Sequence, residues 1–226
     1  MEVLKSILDF FLHLDDHLFA MIQDYGLWIY AILFLIIFVE TGLVIMPLLP
    51  GDSLLFAAGT FCAGVKNELG ETAELNLWIV LALLIIAAVL GDGLNYFFGK
   101  TIGLRVLKWK IRGRQIVKQK YIDQTHAFYE KHGSKTIIIA RFVPIVRTFA
   151  PFVAGIGEMS YRRFIQFNII GGISWVLGLT LLGYFFGNLP IIQENFETVI
   201  LGIIALSILP MIFEILKAKL NSKKDK

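Results

Sequence analysis

ARFVPIVRTFAPFVAG, residues 140–155, places Arg141, Arg147, Pro144 and Pro151 inside an otherwise apolar run. A soluble core does not bury two guanidiniums without partners, and a plain transmembrane helix does not carry two prolines as well. Composition selects the setting that tolerates all four. Of the 226 residues 57% are hydrophobic, and the mean hydropathy is +0.72, far above an average globular domain. One cysteine, Cys62, leaves no disulfide framework and no paired-cysteine metal site. The start, MEVLKSILDFFLHLDDHLF, does not read as a cleavable signal, because Asp9, Asp15 and Asp16 interrupt its apolar part. The chain reads as an all-α integral membrane protein.

Five apolar segments follow. Leu77–Gly99 holds 23 residues with one charge, Asp92; Phe164–Asn188 holds 25 with none; Val199–Leu216 holds 18 with Glu214 near its end. A span needs about 20 apolar residues, so these three are expected to cross. Leu27–Val65 is too long for one helix at 39 residues, and it is broken at Pro47, Pro50 and Gly51. Thr136–Gly157 has 22 residues and is broken by Pro144 and Pro151. Each is expected to form a re-entrant hairpin, because irregular backbone at membrane depth survives only inside protein or beside water. The prolines and Gly51 are then shape-makers rather than ligands.

Charge placement agrees with that expectation. Residues 100–120 carry eight basic side chains and no acid, and the tail from Lys217 holds five lysines. Both should be cytoplasmic. Loops 66–76 and 189–198 together hold one basic and five acidic residues, and the first 24 residues hold Lys5 against five acids. The expectation is three spans, two hairpins, an amino terminus outside and a carboxyl terminus inside.

The two halves echo each other. Phe56-Ala57-Ala58-Gly59 and Phe152-Val153-Ala154-Gly155 lie in the broken segments, and Tyr96-Phe97-Phe98-Gly99 and Tyr184-Phe185-Phe186-Gly187 end the spans that follow. With the topology above, the halves run in opposite directions. Inverted repeats with matching broken helices are a transporter's signature. Residues 3–24 and 121–132 add an amphipathic, interfacial helix before each hairpin. The whole chain is read as one membrane domain: half one over about 1–99, the basic loop 100–120, half two over about 121–216 and the lysine-rich tail 217–226.

An intramembrane charge costs at least ~2.5–3.5 kcal/mol on insertion scales, so Arg141 and Arg147 need counter-charges. The other hairpin supplies Glu40 and Asp52. Arginine stays protonated and offers a planar fork for phosphate or carboxylate, whereas a buried carboxyl can exchange a proton. Together they are the ingredients of a proton-coupled anion site. The plainer reading is a structural ion pair locking the hairpins together. Asp92 is a secondary candidate, with a helix-packing contact to Asn95 as its plainer role.

FVETGLVIMPLLPGDSLLFAAG at 38–59, GDGLNYFFG at 91–99 and ARFVPIVRTFAPFVAGIGEMSYRRF at 140–164 resemble DedA membrane proteins, bacterial inner-membrane proteins related to eukaryotic lipid scramblases of the SNARE-associated, or VTT, class. The resemblance covers nearly the whole chain. It implies paired re-entrant loops, dependence on the proton motive force and transport of polyprenyl phosphate, returning undecaprenyl phosphate for envelope synthesis. Essential family acids match Glu40 and Asp52, which implies proton coupling, and essential arginines match Arg141 and Arg147, which implies phosphate binding.

Other functions are weighed against this one. A proton-coupled exporter of small molecules or cations, or a lipid scramblase, stays open. A polyprenyl pyrophosphate phosphatase would need a nucleophile or metal cluster, and the only hydroxyl beside the arginines is Thr148. Gly51-Asp52-Ser53-Leu54 matches a serine hydrolase motif, but no histidine follows His132 to activate the serine. No enzyme activity, cofactor or metal is expected. His13 and His17 lack further ligands and read as interfacial, and His126 and His132 as solvated. The basic stretch 100–120 points to anionic membrane lipids rather than nucleic acid. The expected partners are the lipid phosphate, protons and membrane lipids, and a homo-oligomer stays open.

Overall fold

The computed structural model describes residues 21–22, 24–43, 51–66, 72–106, 110–111, 114–115, 119–187, 189–193, 198–199 and 201–203. Helices dominate: α1 (Trp28–Gly42), α2 (Gly51–Cys62), α3 (Leu77–Val106), α4 (Gln119–His132), α5 (Thr136–Ala140), α6 (Pro144–Val153), α7 (Tyr161–Phe186) and α8 (Pro190–Gln193). Two antiparallel ladders that the all-α expectation lacks join β1 (Val65–Lys66) to β2 (Thr72–Ala73) and β3 (Lys110–Ile111) to β4 (Arg114–Gln115). Both lie in the loops between apolar segments, where two-residue strands cost the bilayer nothing.

Two helices are long and apolar enough to cross a membrane, over Leu77–Gly103 and Tyr161–Phe186. Large apolar side chains stand outward on both, among them Trp78, Leu90 and Phe97 on α3 and Ile170, Leu182 and Phe185 on α7. Helices apolar on their outer faces suit lipid rather than water. By contrast α2, with 12 residues, and α6, with 10, reach about 18 Å and 15 Å at 1.5 Å per residue. The hydrocarbon is about 30 Å thick, so neither crosses as a straight helix. Of the segment Val199–Leu216 all but a few residues lie outside those described, as do Pro47 and Pro50, the tail and nearly all of 3–24.

The chain divides into two compact units. The first takes Met1–Ala31, Pro50–Leu81 and Gly178–Lys226; the second takes Ile32–Leu49 and Ala82–Leu177. Each therefore draws on both halves of the sequence.

In the first unit α2 ends at Gly64, whose φ of +80° is the left-handed stop that glycine adopts without strain. The Asn76 side chain accepts from the amides of Trp78 and Ile79 at 3.1 and 3.2 Å, a cap that starts α3 at Leu77. The Asn76 backbone amide donates to the Tyr30 hydroxyl at 2.9 Å. The packing of α2 against the end of α7 is backbone to backbone. A Cβ on Gly59 would collide with the Thr180 carbonyl, one on Gly183 with the Phe56 carbonyl, and one on Gly187 with the Thr60 hydroxyl.

The second unit repeats the device with other residues. A Cβ on Gly155 would collide with the Tyr96 carbonyl, one on Gly99 with the Phe152 carbonyl, and one on Gly103 with the Ile156 side chain. Phe56, Gly59 and Thr60 thus play the parts of Phe152, Gly155 and Ile156, while Gly183 and Gly187 play those of Gly99 and Gly103. That register corrects the sequence match by one helical turn: Gly99 corresponds to Gly183, not to Gly187. Tyr-Phe-Phe-Gly recurs by composition, and the backbone contact, not the aromatic pattern, sets the alignment.

The second unit's core gathers Tyr96, Ile137, Phe149, Phe152 and Phe164. Helix α4 is amphipathic as expected, burying Ile122, Thr125 and Tyr129 and exposing Asp123, Glu130 and Lys131. The Tyr129 hydroxyl donates to the Ala150 carbonyl at 2.9 Å and ties it to α6. The break in 136–157 falls at Arg141–Val143, before Pro144 rather than on it. Val143 is extended (φ −119°, ψ 104°) and Pro144 opens α6, because proline bars the preceding residue from helix and pre-sets the first helical one. Pro151 sits inside α6 without ending it. The helix widens over Ala154–Glu158 and stops at Gly157, φ +147°.

Candidate functional site

The motif GDGLNYFFG now has a residue-by-residue reading on α3. Gly91 makes room for Thr41, since a Cβ there would strike its hydroxyl and the Phe38 carbonyl. Asp92, one position on, accepts a charge-paired hydrogen bond from Arg141 Nη2. Asn95 donates its side-chain amide to the carbonyls of Thr148, at 2.9 Å, and Thr41, at 3.4 Å. Tyr96 donates its hydroxyl to Met159 at 2.9 Å, and Gly99 admits Phe152. One stripe of α3 thus holds α1, α6 and the break between α5 and α6.

That framework brings two ion pairs together. Arg147, on the first turn of α6, donates from Nη2 to Glu40 Oε1, near the end of α1, at 2.8 Å. Arg141 donates from its Nη2 to Asp92 and also to Asn168 Oδ1 at 2.6 Å. Asn168 is held in turn by its amide on the Val89 carbonyl at 3.0 Å. Arg141 is 6% exposed, Asp92 5% and Glu40 7%. The Arg141 side chain lies on Gly171, where a Cβ would press on it, and touches Gly172, where a Cβ would press on Val89. Both guanidinium carbons stand 5.8 Å from the Trp175 ring centroid, within cation–π range. Glu40, Thr41, Asp92, Arg141, Arg147, Thr148 and Trp175 line a cavity of about 30 Å³, room for about two water molecules.

Of the four expected residues, Glu40, Arg141 and Arg147 line this cavity. Asp52 stands half-buried in the first turn of α2, in the first unit, and Arg141 pairs with Asp92. Among the shape-makers, Gly51 starts α2. Among the described residues no group of three His, Cys, Asp or Glu side chains is placed to hold a metal. Sequence reading missed Asn168 and Trp175. Asn168, Gly171, Gly172 and Trp175 recur at the spacing of one helix face, in a segment read only as uncharged.

The VTT domain family matches residues 49–185, a range that holds Asp92, Arg141, Arg147, Asn168 and Trp175 and leaves Glu40 upstream. The chain belongs to the VTT-domain family. Across 219 residues it is 51% identical to Protein DedA of Escherichia coli (strain K12), covering 97% of this chain and 96% of that one. It is 43% identical over 176 residues to a membrane protein of Mycobacterium tuberculosis (strain ATCC 25618 / H37Rv), covering 78% and 74%. Inner membrane protein YqjA of Escherichia coli (strain K12) is 32% identical over 215 residues, covering 94% and 92%. No solved structure matches the chain. With such relatives and two helices of spanning length, this VTT-domain chain is a membrane protein.

Proposed function

We propose that the protein is a transporter rather than an enzyme, and that it moves a polyprenyl phosphate carrier, undecaprenyl phosphate, across the bacterial inner membrane at the expense of the proton gradient. The observation that carries this reading is the Glu40–Arg147 pair, 2.8 Å apart and largely buried, beside the Asp92–Arg141 pair on one small cavity. A phosphate takes the Arg147 nitrogen that Glu40 holds by taking the carboxylate's place. Protonating Glu40 cancels its charge and loosens its hold on the Arg147 fork, which suits a phosphomonoester better than a lysine would. Loss of the proton restores the pair and expels the anion. Asp52 is assigned a second proton-carrying role through the family resemblance. The paired glycine interlocks support an inverted repeat with two re-entrant hairpins, and the basic loop and tail face the cytoplasm.

The test is uptake of labelled undecaprenyl phosphate into liposomes holding the purified protein, with and without an imposed pH gradient. Arg147→Lys should lose at least tenfold in rate while still inserting. Glu40→Gln should lose the gradient's effect, because an amide cannot exchange the proton. Normal transport by both variants overturns the reading. For orientation, single cysteines at positions 110 and 222, in a Cys62→Ala background, should resist impermeant thiol reagents in intact cells.

A further inference from the structure

Arg141 is held differently from Arg147. One of its nitrogens is shared between a charged acceptor, Asp92, and a neutral one, Asn168. Asn168 is fixed by its own bond to Val89, so it can keep the guanidinium in place when Asp92 lets go. Gly171 and Gly172 bed the side chain against α7. Among the described residues, the charged and titratable side chains lining this cavity are Glu40 from α1, Asp92 from α3, Arg141 at the break and Arg147 from α6; α7 adds the neutral Trp175 to the lining and Asn168 on Arg141. Each guanidinium thus meets an acid from a different helix, and both share one indole.

We propose that Arg141, Asn168 and Asp92 form a second anion-binding position for a phosphomonoester headgroup, opened when a proton moves onto Asp92 and separate from the Glu40–Arg147 position. The proton goes to the Asp92 carboxylate, a phosphate oxygen replaces it on Nη2, and no covalent bond changes. Asn168 is a positioning residue that keeps the emptied guanidinium from swinging away. A headgroup then passes between two cations whose acids stand on different helices. The ligand class rests on the transport reading above; the separate gating of Arg141 does not.

Trp175 reports on both pairs. In full-length protein with Trp28, Trp78 and Trp109 replaced by phenylalanine, its fluorescence should show two proton-linked transitions without substrate. Asp92→Asn should remove one and Glu40→Gln the other. Asp92→Glu, which keeps a titrating carboxyl, should retain both with one displaced, and it carries the test if the asparagine variant does not accumulate. Asn168→Leu should leave two transitions but lower lipid-phosphate uptake at least fivefold. Two transitions unchanged in Asp92→Asn, none in the parent, or an unmoved pair in Asp92→Glu overturns the second position, whatever the substrate. If the transitions behave as stated and labelled undecaprenyl phosphate neither binds nor moves, the gating stands and the substrate assignment falls.

Discussion

The two compact units use the same backbone device for different ends. In the first, Gly59 and Gly183 let α2 and α7 touch main chain to main chain, and the buried polar groups beside them are the hydroxyls of Thr60 and Thr180. Thr60 donates to the Phe56 and Gly183 carbonyls at 3.2 and 3.3 Å. In the second, Gly155 and Gly99 do the same for α6 and α3, but the neighbouring turns carry Asp92, Arg141 and Arg147. Every arginine of the chain falls within the second unit's ranges. Close packing of glycine faces is therefore the fold's requirement, and buried guanidiniums are an addition made on one side only. Small residues suit this role in lipid, where apolar contact alone gives helices no reason to associate.

The largest effects should come from filling an interlock. Gly155→Val and Gly59→Val each force a branched side chain into a carbonyl, which should cost about 3 kcal/mol or more, the upper range of overpacking. Both variants should fail to accumulate in membranes. If Gly59→Val accumulates normally, the units are not held by a common device. Next comes the charge that sets them apart. Asp92→Ala should cost about 3–5 kcal/mol, since it strands a buried cation, whereas Asp92→Leu with Arg141→Met should recover most of that. Thermal unfolding in detergent measures the difference, and the double variant should still be inactive in transport. A double variant as unstable as Asp92→Ala would mean that the pair builds the fold as well as the site.

Smaller effects sharpen the contrast. Asn95→Ala removes a clamp on two carbonyls and should cost about 1–3 kcal/mol, with a further fall in transport because the Glu40 and Arg147 helices lose their register. Thr60→Val, at the uncharged counterpart, should cost about 1 kcal/mol and leave transport per folded molecule unchanged. Transport lost in proportion to stability in both variants would erase the distinction between them.

Much of this was legible in the chain. The apolar length of Leu77–Gly99 and of Phe164–Asn188 announced α3 and α7, because hydrocarbon thickness sets helix length. Pro144 announced a break in Thr136–Gly157, although the turn falls on the residues before it. Arg147 was singled out as needing a counter-charge and Glu40 as one that could supply it, and the two stand 2.8 Å apart. The assignment of Arg141 was not legible. Asp92 and Asp52 are both acids in apolar segments, and pattern alone does not say which one packs across from residue 141. Asn168 and Trp175 were hidden for a different reason. Neutral polar and aromatic side chains cost the bilayer little, so they leave no mark in a charge map. The echo between Phe56–Gly59 and Phe152–Gly155 was visible, but the glycines that face them were not, since Tyr-Phe-Phe-Gly carries the aromatic echo one turn away from the glycine contact.

The interlocks also govern when the chain can fold. Helix α2 finds its seat on the far end of α7, and α3 finds part of its own on α6. At the usual ~5–20 residues per second of synthesis, α2 leaves the ribosome roughly 6–25 s before the end of α7 exists. A helix of 12 residues that cannot span the bilayer must be sheltered through that interval, by the insertion machinery or by the membrane surface. Biogenesis, rather than the finished molecule's stability, is then where a weakened α2 does its damage.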